Sequence, residues 1–412
     1  MPETGKRVWL VNLFFGVGVA PTGAILESLA IGLKRSGWHV EVITGDVGYN
    51  QSNATQNRRF DGAVHTLRTG SIHAAGFGGR LFAWLLFYLR VTFYAFGHRL
   101  PDQVVLMTTP PFMHLIFIVR RWFSRARTEL ILWNQDTYPE VLTAVGMLGE
   151  RSLTYRLLLW LQRWGVLRMD RVIVLDRAMA AILESHGGKR VSVVPNWEID
   201  PADSQALSDP HLLDCIRRAK AAYRYLVLYT GNCGWGHDLT ILFDYLRRHP
   251  GQRTFFFLFV GGGEKWSQLL ELQEHSGLDC LAVFPYIPKT QMKSLIQHAD
   301  CGLVTLERSC VGLMSPSKIH GFLLQGKPLL YLGAAGSNVA DAINDYGCGL
   351  QIDEKDPASL ANALERIAQG QVDLVQMSRN ARRAAGERYT ECVGVAALVK
   401  LLAGESKTTS PR

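Results

Sequence analysis

The stretch "RVWLVNLFFGVGVAPTGAILESLAIGLKRSGWHVEVITGD" (residues 7–46) passes from an apolar, β-branched run through a glycine-bearing loop into a helical pattern, then out into a second apolar run. Strand, loop, helix and strand in that order form the unit from which parallel sheets with helical crossovers are built. Its loop spaces Gly16, Gly18 and Gly23 as G-x-G-x4-G, with Pro21 where a dinucleotide fingerprint has its third glycine. Asp46, 23 residues past Gly23, stands where such a fingerprint has its ribose acid. The match is partial. The glycines allow a phosphate, a sugar or a dinucleotide to approach the backbone closely, and they equally suit a loop that needs positive φ angles.

The alternation continues. "QVVLMTT" (103–109), "ELILWNQD" (129–136), "RVIVLD" (171–176) and "RVSVVPN" (190–196) read as strands separated by helical stretches. A second series starts at "YLVLYTG" (225–231) and runs through "TFFFLFVGGG" (254–263), "AVFPYI" (282–287), "CGLVTL" (301–306) and "PLLYLG" (328–333). Between the series lies "PNWEIDPADSQALSDPHLLDC" (195–215), which is polar, acidic and proline-bearing. The prediction is an α/β protein with two doubly wound, Rossmann-like domains, 1–200 and 201–385. The segment 386–403 is expected to finish the second domain or cross back to the first, and the polar tail 404–412 to be disordered. Open α/β sheets bind ligands beyond the carboxyl ends of their strands at the switch points, so an interdomain cleft is the expected site.

Composition narrows the class. The chain has 412 residues, 48% hydrophobic and 19% charged, which points to ordered domains able to bury large cores. Its seven cysteines are scattered with no Cys-x-x-Cys pair, which argues against both a disulfide framework and a metal site. "MPETGKR" leads into "VWLVNLFFGVG", too short an apolar run before glycine for a secretory signal, so a cytosolic location is expected. Of the formal net charge of +8, +6 falls between Arg80 and Arg171, a stretch with 12 arginines, no lysine and 6 acids. It also holds Trp84, Trp122, Trp133, Trp160 and Trp164, half of all tryptophans. Basic residues mixed with large apolar ones suit an anionic membrane surface; a nucleic-acid groove reader would be more polar. "RLFAWLLFYLRVTFYAFGHRL" (80–100) has 14 apolar residues among the 16 from Leu81 to Phe96. That is short of the roughly 20 residues of a spanning helix, and Arg90 interrupts it. Monotopic contact with the membrane is the favoured reading over a helix wholly buried in the core.

Three further stretches could carry chemistry. "SPSKIHGFLLQGKPLLYLG" (315–333) sets Ser317 and Lys318 at a helix start. Free N–H groups there favour an anion, whereas a cation in the first turn is disfavoured unless an anionic ligand sits beside it. An ordinary helix start with Ser317 as its cap is the alternative. "LYTGNCGWGHDLTIL" (228–242) reads as a strand, a loop with Gly231, Gly234 and Gly236, and a helix whose start carries His237 and Asp238, with Asn232 and His237 as candidate donors to a diphosphate or a leaving group. "LILWNQDTYPEV" (130–141) sets Asp136 just past a strand, either to activate an acceptor hydroxyl or bind a sugar, or to cap the helix at "YPEV". No D-x-D sequence and no His or Cys cluster with metal-ligand spacing occurs, so negative charge on a leaving diphosphate would be met by Lys318, amides and neutral donors.

With these motifs in order, the chain resembles the glycosyltransferases of family 4 (group 1), which have the two-Rossmann GT-B fold. The likeness covers almost the whole length through "APTGAILESLAIGLKRSGWHVEVIT", "VSVVPNWEID", "GNCGWGHDLTIL", "FLFVGGG" and "SPSKIHGFLLQGKP". It is most similar to the bacterial colanic-acid and O-antigen enzymes, which carry Pro-Ser-Lys before a Gly-Lys/Arg-Pro turn. The resemblance implies retaining transfer of a sugar from a nucleotide donor, UDP-linked, to a lipid-linked saccharide such as one on undecaprenyl diphosphate, at the cytoplasmic membrane face. No cofactor and no nucleic acid enter. By position it implies that Ser317 and Lys318 hold the donor phosphates, that the backbone at Tyr286 and Ile287 meets the base, and that Asn232 and His237 stand by the diphosphate. Asp136 takes the place of an acceptor-side histidine, and Gly16, Gly18 and Gly23 form the acceptor-side loop. The family's paired glutamates, eight positions apart, fall on Leu313 and Gly321, so both acids are missing. Glu307, after "CGLVTL", is the nearby acid for donor-sugar contact. A sugar-nucleotide epimerase of the same fold and a non-catalytic membrane-bound scaffold are the competing readings.

Overall fold

The computed structural model describes residues 5–16, 20–46, 59–69, 76–199, 203–275 and 278–405. The chain divides into two compact units, the first made of Met1–Pro195, Gly312–Met314 and Glu391–Arg412, the second of Asn196–Val311 and Ser315–Thr390. This differs from the expected boundaries in three places. The first segment ends at Pro195 instead of at residue 200. Gly312–Met314 groups with the first unit, and the segment expected at 386–403 splits after Thr390, its helix Glu391–Ala403 joining the first unit. Residues 406–412 of the expected tail lie outside the described residues.

The first unit holds a seven-stranded sheet: β1 (Arg7–Val11), β2 (His39–Gly45), β3 (Ala63–Leu67), β4 (Gln103–Met107), β5 (Glu129–Trp133), β6 (Arg171–Val174) and β7 (Val191–Val193). Its order is β3-β2-β1-β4-β5-β6-β7, and every pairing is parallel. Leu10 of β1 sits opposite Val42 on one side and Val105 on the other. The central strand β4 is buried along its whole length, as a strand covered on both faces must be, which is why its sequence is a continuous apolar run. The helix Pro21–Arg35 opens with proline in its first turn and ends on Lys34 and Arg35, both favourable at those ends. The helix Glu391–Ala403 packs against it, so closely that a Cβ on Gly32 would lie 2.2 Å from Val395 Cγ1. Its free C-terminal carbonyls are met by side chains of the first unit. Gln103 Nε2 donates to Leu402 O (2.9 Å) and Lys6 Nζ to Ala403 O (3.3 Å).

The helices Gly76–Gly97, Met113–Trp122 and Leu153–Val166 build the core on one side of this sheet. In Gly76–Gly97 the residues Ala83, Phe87, Val91 and Ala95 are fully buried at four-residue spacing, while Phe82 (64% exposed), Leu85, Leu89 and Phe93 (71% exposed) face outward. The helix therefore has a core stripe and an unpaired apolar face at once. Among the described residues no helix is long and apolar enough to cross a membrane.

The second unit holds β8 (Tyr225–Asn232), β9 (Phe255–Gly262), β10 (Leu281–Pro285), β11 (Cys301–Leu306), β12 (Leu329–Gly333) and β13 (Gly349–Ile352), in the order β10-β9-β8-β11-β12-β13 and all parallel. The helix Lys318–Leu324 follows β11 and packs against the π-helical turn Ala385–Tyr389, where the rings of His320 and Tyr389 lie 5.6 Å apart. The edge strands β3 and β13 were not among the predicted strands.

Several local expectations are corrected. Ser317 makes no capping hydrogen bond and is exposed. Asp136 caps nothing: the next helix begins at Glu140, with Pro139 at its cap. His237 is in a loop, not on a helix start, because the helix begins at Thr240 and Asp238 Oδ1 turns to accept from Thr240 N (2.9 Å). Asp46 Oδ1 accepts from Thr69 N (2.6 Å) and Thr69 Oγ1 (2.7 Å), which ties it to the end of β3.

Candidate functional site

In the second sheet the chain winds from β8 outward through β9 and β10, then returns to start β11 on the other side of β8. The switch point is thus the carboxyl end of β8 and β11, and it gathers the candidate residues. Lys318, first residue of its helix, extends its ammonium to Asn232 O (2.7 Å) at the end of β8 and to His237 Nε2 (3.1 Å). The same ammonium lies 4.9 Å from the centre of the Tyr229 ring, a favourable cation–π distance. Gly231, at φ 86°, allows this: a Cβ there would come to 3.8 Å from Lys318 Cε on a backbone that side chains rarely adopt.

His237 is held at both ring nitrogens. Nδ1 lies 2.8 Å from Thr305 O, an acceptor only, so Nδ1 carries the hydrogen and Nε2 is left to accept from Lys318. Burial and, next, the Lys318 charge push its pKa down to about 3, so the ring is neutral. A neutral imidazole with both nitrogens engaged can orient Lys318, but it has no proton to give a leaving group. Burial also lowers Lys318, to about 8.

Around this pair, Glu307 N donates to Gly236 O (2.9 Å), fixing Glu307 next to His237's loop, and Ser309 Oγ donates to Glu307 Oε1 (3.1 Å). Tyr286 is exposed and its ring covers Gly262, where a Cβ would come within 2.6 Å of Tyr286 Cε2. Ile287 beside it is half-buried. Two residues escaped sequence reasoning. Lys265, past β9, donates from its ammonium to His237 O. Glu198 Oε2 lies 3.5 Å from where a Cβ on Gly321 would stand, close to the position of the missing second acid. That β9 neighbours β8 in such a sheet was the available signal for Lys265; Glu198, far off in sequence, gave none.

In the first unit Asp136 lies just beyond β5, its backbone N donating to Thr108 Oγ1 (3.2 Å), as does that of Gln135 (3.0 Å). Among the described residues its carboxylate accepts no hydrogen bond, and burial raises its pKa to about 6. Tyr138 stands close enough that burial and then the Asp136 charge push its hydroxyl above the usual range. Thr137 N donates to Leu313 O (2.8 Å), which brings the position of the family's missing first acid next to Asp136. Gly16, at φ 102°, donates to Gly23 O (3.1 Å), and a Cβ on Gly23 would come to 3.0 Å from Phe15 N. Both glycines are therefore required by the loop itself. Gly18 lies outside the described residues.

Residues 22–197 match the family described as glycosyl transferase 4-like domain. A probable glycosyltransferase, WbjE of Pseudomonas aeruginosa, is 24% identical over 340 residues, 80% of this chain and 81% of its own. Sucrose-phosphate synthase from Thermosynechococcus elongatus has a TM-score of 0.71 at 14% identity, covering 97% of this chain and 98% of that one. HepE from Anabaena, solved in complex with UDP and glucose, has 0.66 at 16%, covering 97% and 100%. The protein has the GT-B fold and is a glycosyltransferase. Its likeness to family 4 rests on that match over residues 22–197 and on the 24% identity to WbjE.

Proposed function

We propose that this enzyme transfers a sugar, with retention, from a UDP-sugar to a lipid-linked saccharide at the cytoplasmic face of the membrane, and that it needs no metal ion. The observation that carries the donor half is the Lys318 ammonium, fixed by Asn232 O and His237 Nε2 at the switch point of the second sheet. HepE's complex with UDP and glucose, in a protein of the same fold, supports a UDP-sugar as the donor. As the bond from the anomeric carbon to the diphosphate breaks, negative charge grows on the leaving oxygen, and a preorganised ammonium stabilises it there. Ser317 beside it, Tyr286 and Ile287 at the base, and Glu307 at the sugar complete the donor set. The absence of a D-x-D sequence supports metal independence, with cationic side chains in the metal's place.

On the acceptor side Asp136 takes the proton of the attacking hydroxyl, with Gly16 and Gly23 in the acceptor-side loop. A carboxylate raised to about 6 is a stronger base than an ordinary one yet still ionised at neutral pH. The apolar face of Gly76–Gly97, continued by exposed Trp122, Phe123, Leu153 and Trp160, supports monotopic attachment, and arginines 90, 125, 156 and 163 beside it suit anionic lipid.

Offering UDP-sugars with extracted lipid-linked oligosaccharides tests the reading. UDP release that depends on the lipid acceptor, with a product heavier by one sugar, is expected. Conversion of the UDP-sugar without an acceptor would instead mark an epimerase, and no turnover with any donor would mark a scaffold.

A further inference from the structure

We propose that Lys265 is a second cation of the donor-phosphate site, sharing the diphosphate with Lys318; this rests on reading the second unit as the nucleotide-sugar site. A nucleoside diphosphate carries more than one negative charge, while Asn232 and His237 are neutral, so one ammonium leaves the leaving group undercompensated. Lys265 is built into the same loop cluster. Its backbone N donates to Cys233 O (3.1 Å) and its ammonium to His237 O, the residue whose ring holds Lys318. The loop after β9 crosses the loop after β8 only because both are glycine-rich. A Cβ on Gly261 would lie 2.0 Å from Gly231 O, and one on Gly263 2.3 Å from Asn232 Oδ1.

Neither lysine forms an ion pair among the described residues, although the Glu264 carboxylate reaches the same loops, acting on Cys233 and lying 3.4 Å from where a Cβ on Gly234 would stand. Arg253, Arg308 and Arg388, elsewhere in the unit, each pair with a carboxylate at 2.8–3.2 Å. Among the described residues neither Lys265 nor Lys318 does, although both act electrostatically on Cys233 and His237. Two unpaired ammonium groups converging on one neutral histidine leave a place whose missing partner is an anion.

Calorimetric titration with UDP, ADP and GDP identifies the diphosphate that binds the wild type best; that nucleotide and its nucleoside are then titrated into the variants. Lys265→Met is expected to weaken the diphosphate about 10- to 100-fold and leave the nucleoside unchanged, as loss of one charge-assisted contact does, with Lys265→Arg retaining most of the affinity. Unchanged diphosphate affinity in Lys265→Met, while Lys318→Met loses it, overturns this inference alone. Parallel loss of nucleoside and diphosphate with a lowered Tm also overturns it, since the lysine then merely braces the loop. A wild type that binds none of the three diphosphates overturns the inference and the functional reading together.

Discussion

The two sheets are wound alike, β3-β2-β1-β4-β5-β6-β7 beside β10-β9-β8-β11-β12-β13, yet opposite charges stand at their carboxyl ends. The first presents Asp136, whose carboxylate accepts no hydrogen bond among the described residues, while the second gathers the ammonium groups of Lys318 and Lys265 around a neutral His237. Their outer surfaces differ too: exposed phenylalanine, leucine and tryptophan on helices concentrate in the first unit. The lesson is that winding determines where a ligand meets the sheet, and that a handful of loop side chains determine the sign of what it meets.

The sharpest way to break this contrast is to neutralise the acid. Asp136→Asn should lower kcat by about 10²–10⁴, the usual value of a general base. The same substitution should raise Tm at pH 7 to 8. The folded state raises this group's pKa to about 6, so its contribution to stability is full below the unfolded value of about 3.9 and is lost as pH climbs through 6. Asparagine removes the cost of the buried charge. An equal fall in Tm and kcat would mean that Asp136 is structural.

Removing the opposite charge comes next: Lys318→Ala should cut turnover by about 10²–10³ with folding intact, and near-wild-type turnover would refute the phosphate role. On the outer surface, Phe82→Ser with Phe93→Ser should reduce flotation with anionic vesicles by more than about tenfold, from the apolar area withdrawn. Rising salt should weaken the remaining electrostatic part; a wild type that stays with the soluble fraction at low salt contradicts membrane attachment. The smallest effect is on pH dependence. With Asp136 required ionised and Lys318 required protonated, kcat/KM should rise through about 6 and fall through about 8, and Asp136→Asn should erase only the acid limb.

Much of the fold could be read in advance because buried parallel strands announce themselves as apolar runs, as "QVVLM" and "FFFLFV" do. The edge strands β3, "AVHTL", and β13, "GLQI", are half-buried and short, and carry no such run. At the site, Lys318 was legible because a cation at a helix start is locally unfavourable and calls for an explanation. Lys265 offended no local rule, and its meaning arises only from a neighbouring strand. His237 could be read as a candidate, but its tautomer and charge could not, since they depend on Thr305 and Lys318, 68 and 81 residues away.

The helix Glu391–Ala403 is synthesised after the whole second unit, yet it covers Pro21–Arg35 in the first. A ribosome therefore releases the opening Rossmann layer with one flank still wet, and that flank stays available to chaperones or to a neighbouring nascent chain until the last turn emerges. Completion of the first unit is in this way timed by synthesis of the second.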